Sequence, residues 1–170
     1  MPSGQTRPKP FGFEAALRPN QADLRASSPP TAQPTPADAS APAIICLPYR
    51  PESVGAARRF VHAKLREWEL DELVDDAVVI VSEFVTNSVE TCCRTHLLVG
   101  LRRPTDRTVR ILVGDGSRSM PVMVQAGPEA TSGRGLAMVH QLTNGHWGVT
   151  PLPFGKVVHA DLATPTPNPR

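Results

Sequence analysis

The placement of proline limits where this chain can form a hydrophobic core. The chain has 170 residues and 19 prolines, and the segment RPNQADLRASSPPTAQPTPADASAPA is rich in proline, alanine and serine without apolar periodicity. Such a segment buries too little apolar surface to offset the entropy lost on ordering. We therefore predict a disordered Pro/Ala-rich arm over residues 1–43, one folded domain over residues 44–163, and a flexible tail over residues 164–170.

The composition argues against several classes of protein. Lys and Arg number 18 against 16 Asp and Glu, and a formal net charge of +2 gives no reason to expect a nucleic-acid or membrane partner. No apolar run approaches the roughly 18 residues of a membrane span, and MPSGQTRPKP lacks the apolar core of a signal peptide. Cys46, Cys92 and Cys93 do not have metal-ligand spacing. We expect a reduced, cytoplasmic protein.

Apolar periodicity predicts the order of the elements after a short first strand over residues 43–49. The order is helix, helix, strand, strand, loop, helix, strand, strand, with the second helix running from Asp71 as N-cap to about Cys92. The strands are THLLVGLRR, RTVRILVGD, HWGVTPL and GKVVHADL, while PVMVQA fits a short strand or an extended loop. Directly connected strands favour a mixed, mostly antiparallel sheet. With the helices grouped on one face, the fold class is α+β, a two-layer α/β sandwich.

The second helix carries VSEFVTNSVE, in which the carboxylate of Glu83 and the amide of Asn87 are four residues apart. The stripe expected to pack on the sheet consists of Val74, Ala77, Val78, Val81, Phe84, Val85 and Ser88. Glu83 and Asn87 lie on the other side, and Val79 and Ile80 flank them. One interpretation is a solvated polar face. The other is a helix covered on both sides, whose second side forms one wall of a cleft.

Three further stretches carry residue types that such a cleft would need. ILVGDGS ends in Asp115-Gly116, which is either a turn or a fixed carboxylate that accepts a hydrogen bond from a ligand's amino group. SGRGLAMV places two glycines before a helix, where exposed amides suit an anion such as phosphate, and the charge of Arg134 fits a surface role equally well. GKVVHADL begins with Gly155-Lys156, which is more typical of a hairpin turn than of a ligand contact.

In this order, ExxxN on a helix, a strand ending in DGS, GRGL opening a helix, WG, and GK before a strand resemble the GHKL (Bergerat) ATP-binding domain. Within it, the pattern is most similar to the anti-sigma-factor serine kinase type, a histidine-kinase-like ATPase domain that stands alone. The resemblance covers about residues 48–162. It implies the Bergerat fold and the cofactors ATP and Mg²⁺.

The resemblance also implies roles for individual residues. Asn87 takes the position of the asparagine that binds the Mg²⁺ bridging the ATP phosphates, and Glu83 that of the general base that accepts the proton of an attacking serine hydroxyl. Asp115, followed by Gly116, takes the position of the aspartate that pairs with the adenine amino group. The cofactor-binding residues implied in the lid motif are Gly133, Arg134, Gly135 and Leu136. The chemistry implied is in-line transfer of the γ-phosphoryl group.

The sequence departs from the family's pattern at three positions. Ser88 stands where alanine often follows the asparagine, Glu90 lies where basic residues are common, and Val157 replaces the threonine of a GKT box. Glu90 adds a negative charge, and Val157 removes a hydroxyl. These differences argue against catalytic turnover more than they argue against nucleotide binding.

Three functions remain open. The first is a protein serine kinase that phosphorylates a serine of a small anti-sigma-factor antagonist, with a sigma factor as a second partner and a homodimer compatible with the resemblance. The second is a non-catalytic module that holds ATP, or has lost it, and sequesters a transcription regulator. The third is a structural α+β domain without nucleotide. Fold-level similarity does not choose among them.

Overall fold

The computed structural model describes residues 41–91, 96–121 and 135–165. The elements are β1 (Ala43–Pro48), α1 (Glu52–Glu67), α2 (Val74–Thr91), β2 (His96–Thr105), β3 (Thr108–Asp115), α3 (Gly135–Leu142), β4 (Trp147–Leu152) and β5 (Gly155–Ala163). Most of the predicted arm and tail, Cys92 and Cys93, and most of PVMVQA lie outside the described residues. No helix in the described ranges is long and apolar enough to cross a membrane.

The five strands form one open sheet in the order β1-β2-β3-β5-β4. Every neighbouring pair is antiparallel, so the prediction of a mostly antiparallel sheet is confirmed and its described part contains no parallel pair. Short turns join β2 to β3 and β4 to β5, and these two pairs are antiparallel because a parallel neighbour would need a crossover of a dozen or more residues. At the end of β3, Asp115 stands opposite Lys156 of β5.

The helices pack on one face of the sheet, as predicted for the α+β class. On β3 and β5, alternate residues turn toward the helices, so Ile111 and Val113 stand beside Ala160 and Val158 in the main hydrophobic core. The helices contribute large, fully buried side chains, including Phe84 of α2. Each side chain of that size stabilises the fold by about 1.5–3 kcal/mol relative to an exposed position.

Helix α2 is covered more widely than its apolar stripe predicts. All of the stripe is buried except Val78, which is half-buried and packs against the core. Ile80 was predicted to flank the polar strip, and it is fully buried instead. The physical reason is that α1 and α3 also pack against α2, so its core-facing arc is broader than that of a helix lying only on a sheet.

The predicted start of the second helix is wrong by about one turn. Asp71–Leu73 form a 3-10 turn, and the α-helix begins at Val74. Asp71 does not cap the helix, because its carboxylate accepts a hydrogen bond from Arg66 Nε at 3.0 Å. An acidic residue before an apolar run can serve either as a helix N-cap or as the partner of a nearby basic side chain. Tertiary contacts decide between these two roles.

A smaller cluster lies on the sheet face away from the helices, where Leu112 is almost fully buried. In the same row, His159 of β5 pairs with Leu112 and Gly148. A methyl group on Gly148 would lie only 3.0 Å from His159 Cε1, so the ring is close to the β4 backbone. Burial lowers the pKa of His159 below 6.5, the charge of Arg110 lowers it further, and Asp161 opposes both.

The lowered pKa of His159 predicts that acid destabilises the fold through this residue. The unfolded chain binds the proton more tightly than the folded chain, so stability falls as the pH drops below about 6.5 toward the folded pKa. One such proton changes the unfolding free energy by at most about 1.4 kcal/mol per pH unit. We expect His159→Gln to flatten this slope in urea unfolding between pH 7.5 and 5, with exposed His62→Gln as control. The prediction would be contradicted if the unfolding free energy of His159→Gln depended on pH as steeply as that of the wild type.

Candidate functional site

Glu83 and the start of α3 are in direct contact. A methyl group on Gly135 would lie 1.9 Å from Glu83 Oε2 and 2.7 Å from Glu83 Cδ, so the carboxylate occupies the space that any side chain at position 135 would need. The ExxxN helix and the GRGL motif, which are about 50 residues apart in sequence, therefore meet here. Gly133 and Arg134 lie outside the described residues, and their roles stay predictions.

The polar side of α2 faces a hollow between the three helices. The hollow has a volume of about 390 Å³ and is lined by Arg58, Val78, Val79, Ser82, Glu83 and Met138. On its floor, Arg58 Nε donates to Ser82 Oγ at 2.7 Å, and Ser82 in turn donates to the Val78 carbonyl. Glu83 is thus half-buried in the wall of an open hollow. This placement favours the interpretation of a helix covered on both sides over that of a fully solvated face.

Asn87 lies four residues after Glu83, about 6 Å further along the helix axis. It is half-buried, and its backbone carbonyl accepts a hydrogen bond from Thr91 Oγ1 at 2.7 Å. Within the described ranges, no group of three or more His, Cys, Asp or Glu side chains could hold a metal ion. A Mg²⁺ ion at Asn87 would therefore need most of its ligands from nucleotide phosphates and water, which is the usual situation for this cation.

Asp115 ends β3 with a carboxylate that is completely buried. Ser88 Oγ donates to Asp115 Oδ2 at 2.8 Å, and the backbone N–H of Ser117 donates to Oδ1 at 2.8 Å. The ammonium of Lys156 lies 3.0 Å from Oδ1 and 2.9 Å from Oδ2, with its side chain 5% exposed. Since Ser88 directly follows Asn87, its bond to Asp115 connects the ExxxN helix to the DGS strand.

Ser88 and Lys156 contact Asp115, and neither was predicted to have a role at the candidate site. Ser88 was placed in the apolar stripe and noted as a departure from the family's pattern, and Gly155-Lys156 was interpreted as more typical of a hairpin turn than of a ligand contact. The turn is present just before β5, but Lys156 is the register partner of Asp115, and its side chain points to the same face. The available signal was the alternation in GKVVHADL, in which Lys156 shares a face with the core residue Val158.

Backbone contacts hold the Asp115 loop in place. The N–H of Gly116 donates to the hydroxyl of Tyr49 at 3.0 Å, which ties the loop to the segment after β1. At Gly155 φ is +151°, and a methyl group there would lie 1.9 Å from the Asp115 carbonyl oxygen. Only glycine allows β5 to begin this close to the end of β3. This approach places Lys156 beside the carboxylate.

Leu136, the last residue of the predicted lid motif, has its side chain in the main core at 5% exposure. Any contact it makes with a ligand would come from its backbone. Its side chain anchors the first turn of α3 on α2, which keeps Gly135 against Glu83.

Comparison with known proteins supplies two findings. The family model described as histidine kinase-like ATPase domain matches residues 47–148. Among solved structures, the chain is similar to the RsbU and RsbW domains of a Mycobacterium tuberculosis protein, with a TM-score of 0.55 and 21% identity over 73% of this chain and 32% of that chain. The chain thus spans about a third of the solved structure, and at this identity the likeness concerns the fold. No curated protein matches the sequence.

Proposed function

This chain belongs to the histidine kinase-like ATPase domain family, and from that premise we propose that it binds Mg-ATP and phosphorylates a serine of a small antagonist protein. The proposed setting is an anti-sigma-factor regulatory system in the cytoplasm, with a sigma factor as second partner. The observation that carries the proposal is that two distant motifs contact the stretch of α2 that bears the ExxxN motif. Glu83 contacts Gly135, and Ser88 binds Asp115.

The chemistry of Asp115 and its neighbours suits the base of a purine nucleotide. Asp115 offers a buried carboxylate at a strand end, and a buried acceptor of this kind discriminates for a ligand that donates an amino hydrogen. Ser88 and the Ser117 amide fix the orientation of the carboxylate before any ligand arrives. Such pre-organisation reduces the entropy lost on binding.

The residues at the other end fit the triphosphate. A bound Mg-nucleotide supplies the γ-phosphoryl group and the positive charge that neutralises it during in-line transfer. Asn87 offers a neutral amide oxygen suited to a hard cation. Glu83 holds a carboxylate beside Gly135, where it can accept the hydroxyl proton of an incoming serine. The side chains of Val79 and Met138 line the hollow beside this carboxylate.

The first experiment is a calorimetric titration of the full chain with ATP in the presence and absence of Mg²⁺. We expect saturable binding at one site that weakens when Mg²⁺ is removed, because the phosphate end relies on the cation. Phosphoryl transfer is then followed by mass spectrometry of a small antagonist-type protein incubated with the chain and Mg-ATP. The absence of any binding at millimolar nucleotide would contradict the proposal.

A second candidate is a non-catalytic module that sequesters a transcription regulator. The observation that favours it is that groups of the chain itself engage both carboxylate oxygens of Asp115, which compensates the buried charge without nucleotide. ATP binding without transfer to any antagonist protein would support this candidate over the kinase.

A further inference from the structure

Three hydrogen bonds and a buried ion pair engage the carboxylate of Asp115 in this structure. Each carboxylate oxygen offers two lone pairs. Oδ1 accepts hydrogen bonds from the Ser117 amide and Lys156, whereas Oδ2 accepts one from Ser88 and has the Lys156 ammonium 2.9 Å away as an ion-pair contact. An adenine 6-amino group that donates to Oδ2 must therefore share the space beside this oxygen with Lys156.

Lys156 is the donor that can give way at the lowest cost. The Ser117 N–H belongs to the backbone of the loop, which Tyr49 also holds through Gly116. Ser88 sits on a buried helix face with a short side chain. Lys156 instead carries its ammonium on a flexible four-carbon stem and contacts both carboxylate oxygens, so it can release one and keep the other.

A displaced Lys156 remains beside the base with N–H groups to donate. Its third N–H and the one released from Asp115 need an acceptor, because the side chain is 5% exposed and an unpaired buried donor is costly. On the adenine ring, N1 is an acceptor adjacent to the carbon that carries the 6-amino group. A carboxylate and an ammonium side by side therefore match the acceptor–donor pair that this edge of adenine requires.

We propose that Lys156 is a base-recognition residue, which pairs with Asp115 in the empty site and donates to adenine N1 when the 6-amino group takes one carboxylate oxygen. This inference rests on the proposed nucleotide function and names the group that would read the base. It assigns to Lys156 a specificity role that its position at the start of β5 does not suggest from sequence.

The test compares ATP with 1-deaza-ATP, in which a C–H group replaces N1 and the 6-amino group is retained. Calorimetry with the full chain and Mg²⁺ is expected to show the wild type binding ATP about 10- to 100-fold more tightly, the range for a hydrogen bond involving a charged group. Lys156→Met, similar in length but unable to donate, is expected to bind both nucleotides equally. Lys64→Met, which removes an ammonium paired with Glu67 on α1, is the matched control and should keep the wild-type ratio.

Each outcome bears on a distinct claim. The role of Lys156 would be overturned if the wild type bound ATP and 1-deaza-ATP equally, or if Lys156→Met still preferred ATP. Either result would leave the proposed nucleotide binding intact. A wild type that binds neither nucleotide would overturn the proposed function together with this inference. If Lys156→Met does not fold, as judged by its thermal melt, the comparison of the two nucleotides in the wild type decides alone. Tighter binding of ATP than of 1-deaza-ATP would then support a donor at N1, and equal affinities would overturn the proposal.

Discussion

Glu83→Gln is expected to slow phosphoryl transfer to a serine by about 10²- to 10⁴-fold, the usual contribution of a general base. The substitution keeps the size of the side chain but removes its ability to take a proton. Because Glu83 lies in the cavity wall against Gly135, the isosteric amide fits the same space. We therefore expect Mg-ATP affinity to change by less than about threefold, as for a residue that acts on the chemical step. Single-turnover transfer and calorimetric titration of the same preparations measure the two quantities.

The matched control is Glu90→Gln, the same chemical change on the same helix at an exposed position. It removes a negative charge near the Asn87 end of α2 without touching the cavity wall. Transfer by Glu90→Gln should stay within about threefold of the wild type, since one exposed charge contributes little. Equal rates for Glu83→Gln and the wild type would rule out Glu83 as the base. A wild type that binds ATP and transfers nothing would leave the non-catalytic module as the better hypothesis.

Local patterns in the sequence predicted most of the fold. The apolar run Ile111-Leu112-Val113 in β3 and the helical spacing on α2 are properties of each segment alone, and both elements form where those patterns lie. The start of α2 and the burial of Ile80 were missed. Both depend on tertiary contacts, namely the Arg66–Asp71 hydrogen bond and the packing of neighbouring helices on α2. No periodicity within a single segment encodes such contacts.

The residues of the candidate site also separate into those that the sequence indicated and those that depend on tertiary contacts. Glu83, Asn87 and Asp115 stood out because the order and spacing of their motifs resemble those of a known family, although each motif alone also fitted a solvated helix face or a turn. Lys156 did not stand out, because a lysine after a hairpin glycine is common on protein surfaces. Its burial follows from the register between β3 and β5 and from the close approach at Gly155, both long-range properties. The roles of Gly133 and Arg134 remain predictions, since both lie outside the described ranges.

Asp115→Asn is expected to affect stability and nucleotide binding together. The substitution leaves the buried Lys156 ammonium without its carboxylate, and breaking a buried ion pair from one side costs about 3–5 kcal/mol of unfolding free energy. It also replaces one acceptor oxygen with an amide that donates. We therefore expect Mg-ATP affinity to fall by about 10- to 100-fold. Urea unfolding and calorimetric titration measure the two effects.

A double variant separates the two consequences of Asp115→Asn. Adding Lys156→Met removes the stranded charge, so stability should recover by at least about 2 kcal/mol while nucleotide affinity stays low. Asp161→Asn is the matched control, since its pair with Arg110 is partly exposed and should contribute about 1 kcal/mol or less. That control lies on the opposite face of the sheet and should bind Mg-ATP like the wild type. If Asp115→Asn keeps wild-type affinity once stability is accounted for, the base end of the nucleotide does not bind at Asp115, because a buried carboxylate that reads the amino group cannot be replaced without loss.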